Sequence, residues 1–272
     1  MTSSTRKLLL LAAVMGIVGN LTVGMPTAQA RLVISPALLR VDLDGGRPRG
    51  AFTLTNVGEK TERYRARAVH FRLSEAGGLQ LVEPDEWSLA PWIRFNPAEF
   101  ELPPNASRVV RYTILVPSTL EQGQYWGGIE FEPLQSSVYR FSDGKGKNLS
   151  IHVLNSALVP IFAKKGSPRV DLEVADAKAV ATPKGPGIVI RLENRGETRV
   201  DVRGSYRLVR EDGAEVAAGP VPEVMILRAG ARLVGIRPDP PPAPGSYKLE
   251  LELELRQLEK PVHSVFPVRW GS

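Results

Sequence analysis

Three histidines, His70, His152 and His263, are the only imidazoles in the 272-residue chain, and cysteine is absent. Each histidine falls in a run that alternates apolar and polar residues, and no two stand at the close spacing of a metal-binding pair or a helix-borne catalytic motif. No metal site is therefore expected, and the lack of cysteine removes disulfides, thiolate ligands and thiol nucleophiles together. The stretch DGKGKN (143–148) has the glycine and lysine content of a phosphate loop but not its Gly-x4-Gly-Lys-Ser/Thr spacing, and it runs into a strand, so it reads as a basic hairpin tip. Glu252 and Glu254 alternate with Leu251, Leu253 and Leu255, which puts the two carboxylates on one solvated strand face rather than across a cleft. No strand–turn–helix nucleophile elbow accompanies any serine. These residues point away from catalysis, and no enzyme activity, cofactor, nucleotide or small-molecule substrate is expected.

The elements that would carry such residues are strands. From Arg31 onward the periodicity is two, in runs such as RLVISPALLRVDL, GAFTLTNV, RYRARAVHFRL, RVVRYTILV and YWGGIEFEPL, separated by Gly, Pro, Asn and Asp turns. This predicts an all-β first domain over 31–164, a short hinge at KGSPRV, and a second domain over 165–272. The second half repeats the first: LTNVGEKTERYRARAV (54–69) is answered by LENRGETRVDVRGSYR (192–207), FELPPNASRVVRYTI by MILRAGARLVGIRP, and GQYWGGIEFE by GSYKLELELE. Matching blocks in the same order predict two immunoglobulin-like β-sandwiches of roughly seven strands each. The proline-rich RPDPPPAPGSY reads as an extended link between strands of the second sandwich. One run raises a question of its own. In NLSIHVLN (148–155), Leu149, Ile151 and Val153 form an apolar row that could face the protein's own core or serve another molecule.

The first thirty residues combine Arg6 and Lys7, an apolar stretch from Leu8 and the ending Ala28-Gln29-Ala30, the pattern of a secretory signal cleaved after Ala30. The apolar stretch is short for a membrane span. A mature chain of about 240 residues is long enough to hold its fold by apolar cores alone. The formal charge of +6 and a pI near 9.6 leave that chain basic, which suits solubility or an acidic, carboxylate-bearing partner. Nucleic acid is not an expected partner, since secretion and the lack of a basic-aromatic pattern argue against it.

In order along the chain, LLRVDLDGG, FTLTNVG, NPAEFELPPNASRVVRYTI, the Gly-Tyr-Trp strand at 123–131, a long loop and NLSIHVLNSALVPIFAK resemble the first domain of the PapD-like periplasmic chaperones of chaperone–usher pilus assembly. The resemblance covers essentially the whole mature chain. It implies two sandwiches in an L shape, residence in the periplasm, and a role in capping a pilus or fimbrial-type subunit and delivering it to an outer-membrane usher. It further implies that Arg40 binds the subunit's C-terminal carboxylate and that Leu149, Ile151 and Val153 are lent to the subunit's incomplete sandwich. The family's second cation, a lysine, has no counterpart: its position falls on Leu158 or Pro160, with Lys164 and Lys165 the nearest lysines. A proline cannot donate to a ladder, so pairing is expected to weaken at Pro160. Two other readings stand beside this one: a cell-envelope structural or adhesive protein with no chaperone activity, and a secreted enzyme with a site in the interdomain cleft.

Overall fold

A computed structural model describes residues 32–135, 137–142, 148–182 and 185–271, with backbone alone for 137–142 and 148–153. The expected signal peptide and the DGKGK tip lie outside the described residues.

The alternating runs form strands because one side of each can be buried while the other meets water or a neighbouring layer. The first half holds β1 (Leu32–Ser35), β2 (Leu39–Asp42), β3 (Arg49–Asn56), β4 (Glu62–Leu73), β5 (Leu79–Val82), β6 (Ile93–Asn96), β7 (Glu99–Leu102), β8 (Ser107–Ile114), β9 (Gly123–Pro133), β10 (Ser137–Ser142), β11 (Asn148–Val153) and β12 (Ala157–Lys165). One sheet runs β1-β3-β8-β6; the other runs β2-β12-β9-β4-β5 with β7 also on β4. Between them lie Phe52, Leu54, Val110, Ile114, Ile129, Phe131 and Ile161, all essentially inaccessible. The second half holds β13 (Leu172–Thr182), β14 (Gly185–Asn194), β15 (Val200–Val209), β16 (Glu215–Ile226), β17 (Ala231–Ile236), β18 (Gly245–Leu255) and β19 (Val262–Trp270). Its sheets are β13-β14-β17 and β16-β15-β18-β19, closed over Ile188, Ile190, Leu208, Leu249 and Leu253. The architecture is the all-β, two-sandwich plan expected from the periodicity. The second sandwich has the seven strands anticipated; the first has more pieces because its first strand splits between sheets at β1/β2 and its last hairpin is interrupted.

The internal repeat has a physical core. Asn56 and Asn194 are both buried, and each side chain ties a turn to a neighbouring strand. Asn56 donates through Nδ2 to the carbonyls of Lys60 and Leu102 and accepts from the Gly58 N–H through Oδ1. Asn194 donates to the carbonyls of Thr198, Ile226 and Leu227 and accepts from the Gly196 N–H. A buried amide with all its groups satisfied fixes a strand-to-strand corner that apolar packing alone would leave loose.

A third apolar cluster joins the halves: Phe71, Trp126 and Phe162 from the outer face of the first sandwich meet Leu227 from the second, flanked by Trp87, Leu158 and Met225. Main-chain bonds cross the junction at two places, Gln124 N–H to the Glu197 carbonyl at 2.8 Å and Leu233 N–H to the Glu75 carbonyl at 2.8 Å. An Arg191–Glu75 ion pair at 2.8 Å reinforces the second. At the connection, Gly166 takes φ +65°, a left-handed turn that suits a residue without Cβ, and its N–H is held by Asp44 Oδ2 at 2.9 Å.

Candidate functional site

The site begins with a strand that is paired on both sides for only part of its length. β12 pairs antiparallel with β9 along its whole length, from Ala157 opposite Phe131 to Lys165 opposite Gly123. On its other side β2 runs parallel to it, but only alongside Ile161–Lys164. Among the described residues no strand pairs with the outer side of Ala157–Pro160. Pro160 does not interrupt the ladder as the sequence suggested, since it sits opposite Gly128 in an unbroken register. A proline is accommodated where its nitrogen faces away from the ladder, and the outer side at this point makes no demand for an N–H. Gly128 is required here: a Cβ would lie 2.6 Å from Leu158 Cδ1 and 2.8 Å from the Val159 carbonyl oxygen.

Upstream, among the described residues, β11 pairs only with β10, in a two-stranded ribbon separate from both sheets. The register sets Leu149 opposite Phe141, Ile151 opposite Tyr139 and Val153 opposite Ser137. Leu149, Ile151 and Val153 are thus on a described strand, while their side chains lie outside the described residues. A free two-stranded ribbon is marginal in water by itself, and the outer edge of β11 presents main-chain donors and acceptors with no strand beside it.

Arg40 lies on β2, exposed, in register with Phe162. Paired residues share a sheet face, so Arg40 stands on the outer side of the sheet, away from the core. Phe162, its register partner, carries a cation that the sequence reading did not anticipate. Arg199, immediately before β15 in the second sandwich, is 5% exposed, and its guanidinium lies 4.3 Å from the centroid of Phe162. Its Nη2 donates to Asp201 Oδ2 at 3.1 Å and its Nη1 to the Met225 sulfur, a poor acceptor. Its backbone is pinned by Gln124 Oε1 and Gln257 Nε2. Burial pulls the Arg199 pKa down, Asp201 opposes that, and repulsion from Arg40 and Arg256 adds to it. An arginine remains charged at any physiological pH, so Arg199 stands as a buried cation beside Phe162 with Asp201 as its ion-pair partner. Arg40 and Arg199 are thus both associated with Phe162, whereas the apolar row lies farther along the same run: nine residues from Val153 to Phe162, about 30 Å if fully extended. Leu158, one of the two residues that the lysine position falls on, is half-buried and packs against the junction cluster.

Among the described residues no group of His, Asp or Glu could hold a metal ion, and no helix is long and apolar enough to cross a membrane. Glu252 and Glu254 are exposed while Leu251, Leu253 and Leu255 are buried, the alternation expected of a solvated face.

No family model matches the sequence, and no curated protein does. Among solved structures, the chain is similar to one described as a chaperone–tip adhesin complex vital for synergistic activation of CFA/I fimbriae biogenesis, at 14% identity and a TM-score of 0.48, over 88% of this chain and 99% of that one. It is similar to the class 5 fimbriae chaperone CfaA at 14% identity and 0.47, over 86% and 98%. The chain resembles fimbrial chaperones. A third such structure is the CsuC-CsuE chaperone–tip adhesion subunit pre-assembly complex from archaic chaperone-usher Csu pili of Acinetobacter baumannii, at 13% identity and 0.41, over 77% and 91%.

Proposed function

We propose that the protein is a non-enzymatic periplasmic chaperone that caps a fimbrial-type subunit by lending it the β11 edge and delivers it to an outer-membrane usher. The observation that carries this reading is the ribbon β10–β11 and its continuation into β12, whose outer edge is unpaired from Asn148 to Pro160 among the described residues. An added strand on that edge gains main-chain hydrogen bonds that set register, and pockets for alternate side chains set specificity. Leu149, Ile151 and Val153 are the side chains lent, each contributing about 1.5–3 kcal/mol when fully buried in the partner. Arg40 receives the subunit's terminal carboxylate. Arg199, from the opposite sandwich, supplies the second positive charge where the resemblance called for a lysine. A charged group enclosed between two guanidinium groups is held by charge-assisted bonds, and its arrival answers the repulsion between them.

The test uses the full chain co-expressed with the fimbrial-type subunit encoded nearest to it. A one-to-one complex surviving gel filtration is expected. Ile151→Asp should abolish the complex while the free protein melts unchanged, because a carboxylate would be buried only in the partner. Arg40→Ala should weaken it by about 2–5 kcal/mol. If Ile151→Asp unfolds the free protein and Arg40→Ala affects no partner, the row belongs to the private core and the structural or adhesive reading takes its place.

A further inference from the structure

His70 is 1% exposed and plays no part in the edge or the arginine pair. It stands at a fork. The β4–β9 ladder ends at Val69 opposite Gly128, and beyond that point β4 pairs with β5, with His70 opposite Val82. The place on β9 that β4 vacates is taken by Trp87–Leu89: Trp126 N–H donates to the Trp87 carbonyl at 3.0 Å, and Leu89 N–H to the Trp126 carbonyl at 2.9 Å. His70 spans this fork. Its Nδ1 is 3.2 Å from the Trp126 carbonyl oxygen, and its Nε2 is 3.1 Å from Asp85 Oδ2, within ion-pair distance although poorly aligned as a hydrogen bond.

Both ring nitrogens therefore face oxygen acceptors. A neutral imidazole has one N–H and one lone pair, so either tautomer sets a lone pair against an oxygen. Imidazolium has a proton for each. The charged groups around it are Asp85 on the inserted segment and Arg72 on β4. Arg72 Nη2 holds the same Asp85 oxygen at 2.5 Å, and the second carboxylate oxygen accepts the Trp87 N–H at 2.9 Å. From β9, Trp126 approaches with its uncharged ring as well as its carbonyl, the ring centroids 5.2 Å apart, and His70's partner on β5 is the uncharged Val82.

We propose that His70 is a protonation-controlled staple: as imidazolium it ties the segment carrying Asp85, Trp87 and Leu89 to β9, and loss of its proton loosens that segment. The segment matters beyond the first sandwich, because Arg228 of the second stacks on Trp87 at 4.9 Å and Trp87 flanks the junction cluster. Protonation of His70 thus tightens the junction between sandwiches, and loss of that proton relaxes it. The proposal is independent of what the β11 edge binds.

The experiment follows amide protection factors of Trp87, Leu89 and Trp126 in the full-length mature protein by NMR, corrected for intrinsic exchange, alongside the ring proton of His70. Protection should fall on the order of tenfold as pH rises through the observed His70 titration, the size of losing one charge-assisted bond. His70→Gln should remove the step, and His263→Gln should leave it in place. Should His70→Gln fail to fold, Asp85→Asn serves the same purpose and should flatten the step as well. A step that persists in either variant, or protection that is flat while His70 titrates, overturns the proposal.

Discussion

In the second sandwich, β18 and β19 pair from Gly245 opposite Trp270 to Leu253 opposite Val262, and both strands belong to a four-stranded sheet throughout. In the first, β9 and β12 begin in the same manner, but the hairpin continues past the sheet as the ribbon β10–β11. Both sandwiches keep the buried asparagine corner, so the shared scaffold tolerates the difference. The strands of one hairpin are held by their own core; those of the other extend beyond theirs, where two-stranded pairing contributes little stability. On the proposed reading, that extension is what a partner's sheet would use.

The sharpest way to break this comparison is to put the same charge on the last hairpin of each sandwich. Val268 on β19 is 4% exposed within the core, so Val268→Asp should cost more than about 4 kcal/mol and leave the second sandwich unfolded at ambient temperature by circular dichroism. Ile151→Asp should change the free protein's stability by less than about 0.5 kcal/mol. Equal losses would mean that the two hairpins serve the same purpose.

A middle-sized effect tests the shared part. Asn56→Ala and Asn194→Ala each strip a buried corner of its hydrogen bonds and leave carbonyls without donors. Each should cost about 2–3 kcal/mol in urea unfolding. If one of the pair proves neutral, the two corners are alike in geometry only.

The smallest expected effect separates the halves by pH. Burial alone would push the Asp85 carboxyl up, but the Trp87 N–H, His70 and Arg72 outweigh it and hold it below its ordinary value. A depressed carboxyl contributes stability that is complete above the unfolded value of about 3.9 and lost as pH falls through the lower folded value. The acid limb of the wild-type urea midpoint should therefore be steeper than that of Asp85→Asn, with the difference confined to the first sandwich's tryptophan signal.

The two-sandwich plan was legible because alternation and the paired Asn-x-Gly turns are local signals that survive in a single sequence. Arg40 was singled out by resemblance alone, whereas Glu252 and Glu254 could be placed from their parity. Arg199 could not: in ETRVDV it looks like any strand-start arginine, and its burial arises from Phe162 and Gln124, which reach it only across the junction. The insertion of Trp87–Leu89 into the first sandwich was hidden for a related reason. A segment that pairs for three residues has no periodicity to show, and the forking of β4 from β9 is a tertiary event. Pro160 misled in the other direction, since a rule about ladders does not tell which side of a strand will lack a neighbour.

The junction's two backbone bonds have a mechanical meaning. Gln124 to Glu197 and Leu233 to Glu75 attach the halves at separate points, as two bolts fix a bracket where one would leave a pivot. Torque about the Gly166 connection must strain both at once, so a load applied to one sandwich is passed to the other through main chain instead of being dissipated in the linker.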